Sequence, residues 1–211
     1  MEKRGAFITF EGSEGAGKST QIGLLAERLR QDGREVCLVR EPGGTALGED
    51  VRQILKHAPY GDRLTDEAEL LLFAASRAQL VQEIIRPALA KGQVVLSDRF
   101  TDSTTVYQGH GRGLPAGFIR ELNTFATGSL VPAMTVLLDL PAADGLERAR
   151  QRLTDVADRM EAMEMAFYDR VCQGYEELAK AKPARFLVVD ARMAPEEIAE
   201  KIWHEFKRRQ F

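Results

Sequence analysis

The strongest chemical signal in the chain is Gly12-Ser13-Glu14-Gly15-Ala16-Gly17-Lys18-Ser19, which satisfies G-x-x-x-x-G-K-[ST]. Glycines let the backbone fold around an anion so that successive N–H groups point inward. A helix opening near Lys18 adds the positive end of its dipole. Lys18 can then reach the β- and γ-phosphates of a nucleotide, and the Ser19 hydroxyl can ligate Mg²⁺. Ser13, Glu14, Ala16 and Thr20 complete the loop. A strand-like run precedes it and a helical run follows, the context that separates a phosphate cradle from a chance glycine-rich turn. Nucleoside triphosphate binding follows from this stretch alone.

A cradle of this kind serves kinases, GTPase switches and motor ATPases alike. The chain carries no guanine-reading N-K-x-D signature and no D-x-x-G switch, since Asp98 and Asp139 are followed by Arg99 and Leu140. The length predicts no second domain for a mechanical output. A kinase needs a second anion site, and arginines stand where one would be built. Arg40 opens Arg40-Glu41-Pro42-Gly43-Gly44-Thr45 after the second strand-like run, and Arg99 follows Asp98 after the third. Both are carboxyl strand ends, where α/β sheets bind ligands. Arg52 lies in the helical stretch behind the first of these loops. Arginine suits phosphate because its fork donates two parallel hydrogen bonds. Each arginine alone would be read as a solvated charge, but three clustered near strand ends beside a phosphate cradle favour a site. Phe73 and Arg77, four residues apart, share one helix face, so a ring and a fork could meet a nucleobase together.

Elements able to hold these groups alternate along the chain. Strands are expected at Ala6–Glu11, Glu35–Val39, Gln93–Ser97, Met134–Leu140 and Phe186–Asp190, mostly apolar through their middles, as parallel strands covered on both faces are. Helices are expected at about Ser19–Gln31, Thr45–His57, Thr65–Ala90, Pro115–Thr127, Ala143–Gln151, Arg159–Ala181 and Pro195–Arg209. Pro87 should kink or divide the third of these. The pattern predicts a single three-layer α/β domain over residues 1–211.

With 29 Lys and Arg against 32 Asp and Glu, the net charge of −3 argues against polymeric nucleic acid or an anionic membrane as partner. No run approaches the roughly 18 apolar residues of a membrane span. Met1-Glu2-Lys3-Arg4 lacks an apolar signal region, so a cytoplasmic location is expected. Cys37 and Cys172 form no metal-type pair and are expected as buried free thiols.

Four blocks in this order resemble the bacterial type of the thymidylate kinase family: Phe10–Thr20, Arg40–Thr45, Phe73-x-x-x-Arg77, and Asp98-Arg99-Phe100-Thr101-Asp102-Ser103-Thr104-Thr105-Val106-Tyr107-Gln108-Gly109. The resemblance covers nearly the whole chain. It implies transfer of a phosphoryl group from ATP to dTMP, with Mg²⁺, on a five-stranded parallel sheet, in a homodimer. Phe73 would stack on thymine and Arg77 would meet a base carbonyl. Arg99 and Arg52, with Arg40 behind them, would hold the dTMP phosphate, and Glu14 would meet the sugar 3′-hydroxyl. Ser103, Thr104 and Gln108 would line the base pocket. Tyr107 would pack where a ribose 2′-hydroxyl would have to fit, and Asp98 would stand with Ser19 near the metal.

Arg148, Arg150, Arg152 and Arg159 crowd the segment 148–159, which resembles the family's lid over ATP. Leu153–Ala157 replaces the shorter glycine-containing turn of that pattern, so Arg150 and Arg152 compete for the catalytic place beside Lys18 and Arg99. Met163 stands where an acid is common, and Asp158 and Glu161 are either lid-orienting or ordinary helix-start acids. Arg192 is a candidate on the adenine side. Apolar excess around Leu70–Leu80 and Met163–Tyr175 suggests a helical dimer surface. The alternatives are another nucleotide or deoxynucleoside kinase, or a non-catalytic nucleotide-binding regulator. The Phe73/Arg77 pair and the Ser103–Gln108 block count against another kinase, and a regulator need not keep an acceptor site.

Overall fold

Five β-branched runs form five strands: β1 (Ala6–Glu11), β2 (Val36–Arg40), β3 (Val94–Asp98), β4 (Met134–Asp139) and β5 (Phe186–Asp190). In this computed structural model, which describes residues 5–58, 63–152 and 164–211, they make one sheet in the order β2-β3-β1-β4-β5. Every pairing is parallel. The central β1 is buried throughout, whereas Leu38 of β2 and Val188 of β5 are about half exposed. Only the inner strands are covered on both faces, which is why their sequences read as continuous apolar runs.

Two helices close one face. Ile22, Leu25 and Leu29 of α1 (Lys18–Gln31) pack in the same cluster as Ile8, Phe10, Leu96, Val136 and Leu138. The last helix (Pro195–Arg208) adds Ile198, Ile202 and Phe206. On the other face lie α2 (Ala46–His57) and α3 (Asp66–Leu80), capped by Thr45 and Thr65, whose hydroxyls accept from Gly48 N at 3.0 Å and Ala68 N at 3.3 Å. The predicted helix Thr65–Ala90 is one rod in three pieces: α3, a π-helical turn at Val81–Ile85, and α4 (Arg86–Ala90). Pro87 has no N–H for an intrahelical bond, and the widened turn lies just ahead of it.

One further difference matters for the site. Residues 101–111, not expected as helix, form α5 (Thr101–Thr104) and a π-helical segment (Thr105–Gly111). Threonines and glycines there carry no apolar period, and the segment is held from outside, with Gly111 so close to Phe167 that a Cβ would lie 2.5 Å from the ring. After α6 (Ala116–Thr127) and α7 (Ala142–Arg152), α8 begins at Met165 and ends at Ala181. Glu164 is extended at its N-cap, and the expected start at Arg159 lies outside the described residues. The last helix is α9. Both cysteines are free thiols but half-buried rather than buried. Cys172 donates to Leu140 O at 3.5 Å, and burial pushes its thiol up to about 11.

Candidate active site

The cradle joins β1 to α1 through three glycines of positive φ. Gly12 has φ +140°, and a Cβ there would stand 2.5 Å from Leu138 O, so β4 leaves no room for a side chain. Gly15 faces Gly145 O just as tightly. Lys18 folds over the loop, donating from Nζ to Ser13 O at 2.8 Å and to Gly12 O at 3.1 Å. Burial and the nearby Arg99 charge lower its pKa, so an anion brought against it would be strongly held. Ser19, exposed at the start of α1, donates to Asp98 Oδ2 at 3.1 Å.

Strand register brings the second site to the same edge. Asp98 lies opposite Phe10 of β1 and Arg40 of β2. The ladder runs on past the strands, with Arg99 N donating to Phe10 O at 3.0 Å and Glu41 N to Asp98 O at 2.9 Å. Arg99 has a left-handed backbone, φ +72°, a costly conformation for a residue with a side chain. Ser97 Oγ donates to its carbonyl at 2.6 Å and helps to hold it. The turn aims the guanidinium at the cradle, where it donates to Glu14 Oε1 at 2.5 Å, Ser103 Oγ at 3.2 Å, Tyr107 Oη at 3.2 Å and Gly12 O at 3.3 Å. Burial opposes its charge, and Glu14 with the two tyrosines Tyr107 and Tyr175 more than offsets this, so its pKa rises.

Arg77 takes the opposite course. It is 1% exposed, and its Nε and Nη2 donate to Glu41 Oε2 at 2.8 and 2.6 Å. Nη2 also reaches Thr104 Oγ1 at 2.9 Å and Phe100 O at 3.2 Å, while Nη1 donates to Asn123 Oδ1 at 2.7 Å. One Nη1 hydrogen is left over in this set of five donors. Burial raises the Glu41 pKa against the pull of Arg77, and its Oε1 has no hydrogen-bond partner among the described residues.

A single cleft of about 240 Å³ unites these groups. Its floor is the cradle from Glu14 to Ser19; its walls carry Arg40, Arg52, Phe73, Arg77, Asp98, Arg99, Ser103, Thr104, Tyr107 and Gln108. The expected substrate-binding residues therefore meet in one place. Arg52 donates to Pro42 O at 3.0 Å, and Arg40 turns to Glu49 at 2.8 Å. Thr20 is exposed on α1. Of the lid residues, Arg148 stands beside Gly15 and donates to Ala191 O at 2.9 Å, and Arg150 is exposed on α7. The Arg152 side chain and residues 153–163, with Asp158, Arg159, Glu161 and Met163, lie outside the described residues. Arg192 is paired with Asp190 at 2.8 Å on the exposed edge.

Sequence reasoning missed the buried groups behind the cleft. Glu11, the last residue of β1, accepts from Phe100 N at 2.8 Å, Ser103 Oγ at 2.6 Å and Tyr175 Oη at 2.9 Å. Burial, with the Asp102 charge added, raises its pKa to about 7. A charged residue ending an apolar strand was the available signal. Tyr175, Asn123 and Glu69 gave none, because only the fold brings them near.

A phosphate cradle and an arginine-lined acceptor pocket, open to one another at the carboxyl edge of a parallel sheet, define a P-loop kinase of small phosphorylated substrates. A family model described as thymidylate kinase matches residues 10–202. A thymidylate kinase of Synechococcus sp. (strain JA-2-3B'a(2-13)) is 52% identical over 197 residues, 93% of this chain and 92% of its own. One from Deinococcus radiodurans is 48% identical over 200 residues, covering 95% of each chain. The crystal structure of thymidylate kinase from Ehrlichia chaffeensis superposes with a TM-score of 0.78 at 34% identity, over 96% of this chain and 99% of that one. The chain belongs to the thymidylate kinase family, and its reaction is phosphorylation of dTMP to dTDP with ATP.

Proposed function

We propose that the cleft binds both nucleotides at once and carries out an in-line phosphoryl transfer between them, with roles assigned as follows. The backbone N–H groups of residues 12–20 cradle the ATP phosphates, and Lys18 neutralises charge on the transferring group. Arg99 and Arg52 hold the dTMP phosphate, with Arg40 at the rim, and Glu14 meets the sugar 3′-hydroxyl. Phe73 stacks on the base while Arg77, Thr104 and Gln108 read its edge; Ser103 shares Arg99 and Glu11. The observation that carries this reading is the continuity of one cleft from Lys18 to Phe73 and Gln108.

Mg²⁺ fits beside the cradle, where Ser19 Oγ and Asp98 Oδ2 are hard oxygen donors 3.1 Å apart. When bound it supplies charge neutralisation at the phosphates. No group of three acidic, histidine or cysteine ligands occurs among the described residues, as suits an ion shared mainly with phosphate and water. Arg150 and Arg152 remain the candidate lid arginines for the transferring phosphoryl. The chain acts as a single domain in the cytoplasm; no helix among the described residues is long and apolar enough to cross a membrane.

The dimer surface needs a correction. The apolar excess of α8 is used within the chain: Phe167, Tyr168, Val171 and Tyr175 are buried together with Leu137. α8 keeps Met165 exposed at its first residue, and more exposed apolar groups lie on α3 and α6, at Leu71, Phe118 and Phe125, the last 85% exposed. A homodimer through α3 and α6 covers them. Light scattering should give twice the mass of the chain, and Phe125→Glu should halve it.

The reaction is tested by incubating ATP and Mg²⁺ with dTMP, dUMP and ribothymidine monophosphate. A missing methyl is worth about 10–200-fold, so dUMP should be a weak substrate. The ribonucleotide should be poor because Tyr107, 5% exposed and wedged edge-on between Phe167 and Tyr175, cannot yield to a hydroxyl. Diphosphate formation from none of the three would overturn the assignment.

A further inference from the structure

Behind the cleft, Glu69 of α3 is wholly buried, an unusual place for a carboxylate on a helix that meets the ligand side. Two groups from the π-helical segment and its end meet it. Gln108 Nε2 donates to Glu69 Oε1 at 2.8 Å, and Arg112 donates from Nη2 to Glu69 Oε2 at 3.0 Å. Arg112 also pairs with Asp66 at 3.3 Å and lies 5.3 Å from the Phe167 ring centre, so it is anchored on two further sides. Charge pairing by Arg112 is what allows a carboxylate to be buried here.

The chemistry of that contact has a directional consequence. A carboxylate paired with arginine only accepts hydrogen bonds, whereas a glutamine amide has one donating and one accepting end. Gln108 can therefore meet Glu69 only through its NH₂. Its carbonyl, Oε1, is left over, accepts from no described residue, and belongs to a side chain that lines the cleft. On the other side of the same wall, Arg77 offers its one spare Nη1 hydrogen. The base edge thus faces one acceptor next to one donor.

We propose that Glu69 is a specificity-positioning residue: by holding the Gln108 amide in one orientation, it makes the cleft accept pyrimidines with an N3–H donor, thymine and uracil, and refuse cytosine, whose N3 is an acceptor. This rests on the reading that the base lies against Phe73, Arg77 and Gln108. Glu69 never touches the ligand; it acts through Gln108. Without it, the amide turns to either face and the N3 position is no longer read.

The test uses steady-state kinetics with dTMP and 5-methyl-dCMP, which has the same size but an acceptor at N3. The wild type should favour dTMP in kcat/KM by on the order of a hundredfold or more. Glu69→Gln, which can either donate or accept at the same volume, should narrow that preference by roughly threefold to tenfold, mainly through the KM for dTMP, with kcat kept. In a Gln108→Ala background, Glu69→Gln should change the preference no further. Arg112→Gln, which releases Glu69 from the other side, should reduce the preference in the same direction and serves if Glu69→Gln does not fold. An unchanged preference in a folded variant, or equal losses on both substrates, overturns the proposal. A wild type that phosphorylates dTMP but shows no preference between the two substrates would instead remove the base placement it rests on.

Discussion

Two arginine–glutamate pairs face the same cleft and are built differently. Arg77 and Glu41 are 1% and 3% exposed, and the guanidinium is tied to three partners besides. Arg99 and Glu14 keep 15% and 26% of their side-chain exposure, and three of the four Arg99 bonds are 3.2 Å or longer. The first pair is a wall whose shape is set before any ligand arrives; the second is a set of donors whose weak protein bonds a phosphate can replace. Reading a base takes rigid groups of known orientation, whereas binding a moving, highly charged group takes donors that can be surrendered. Lys18 belongs with the second kind, since loop carbonyls are its hydrogen-bond partners in the cradle.

The comparison is most severely tested by exchanging losses of stability and activity. Arg77→Met strands Glu41 in the interior and should cost about 3–5 kcal/mol in urea unfolding, as a broken buried pair does. Arg99→Ala should cost much less stability and yet ruin use of dTMP; equal destabilisation by the two would erase the distinction. Lys18→Met should lower kcat by about 10²–10³-fold. Its melting temperature should not fall, because burial already disfavours the Lys18 charge; a strongly destabilised variant would mean that the lysine belongs to the fold.

Phe73→Ala should weaken dTMP binding by roughly 1–3 kcal/mol, the worth of a base–aromatic stack, and leave the KM for ATP unchanged. A matching rise for ATP would place the ring elsewhere. The smallest effect concerns Glu11, behind both walls. Its folded pKa of about 7 lies above the ordinary 4.5, so the native state holds a proton that the unfolded chain has lost. Stability is therefore complete below pH 4.5 and declines as pH rises to about 7. Glu11→Gln, whose carbonyl can still accept from Phe100 N, should flatten that slope in thermal melts across the same range. An identical slope in the variant would assign the titration to another group.

Much of this was legible in the chain. Strands β1 and β5 coincide with the predicted runs, and the other three are shifted by about a residue at their ends. Gly12–Ser19, Arg99, Phe73 and Gln108 could be picked out because local motifs carry them. The segment 101–111 could not be read as helical, since neither its threonines nor its glycines have a preference for that form. Glu11, Glu69 and Tyr175 had no motif of their own.

The division has a physical cause. A phosphate cradle is made of consecutive residues whose backbone N–H groups and glycine φ angles do the binding, so its chemistry is written in one stretch of eight. The walls opposite are made of side chains from α2, α3, α5 and the π-helical segment, backed by α6 and α8, tens of residues apart. Whether Arg77 is a free fork or a locked one depends on Glu41, Thr104 and Asn123 arriving together, and which end of Gln108 meets the cleft depends on Glu69. Residue type limits what each group can donate or accept. Burial and partner, which exist once the sheet and helices have packed, settle which of those options it keeps.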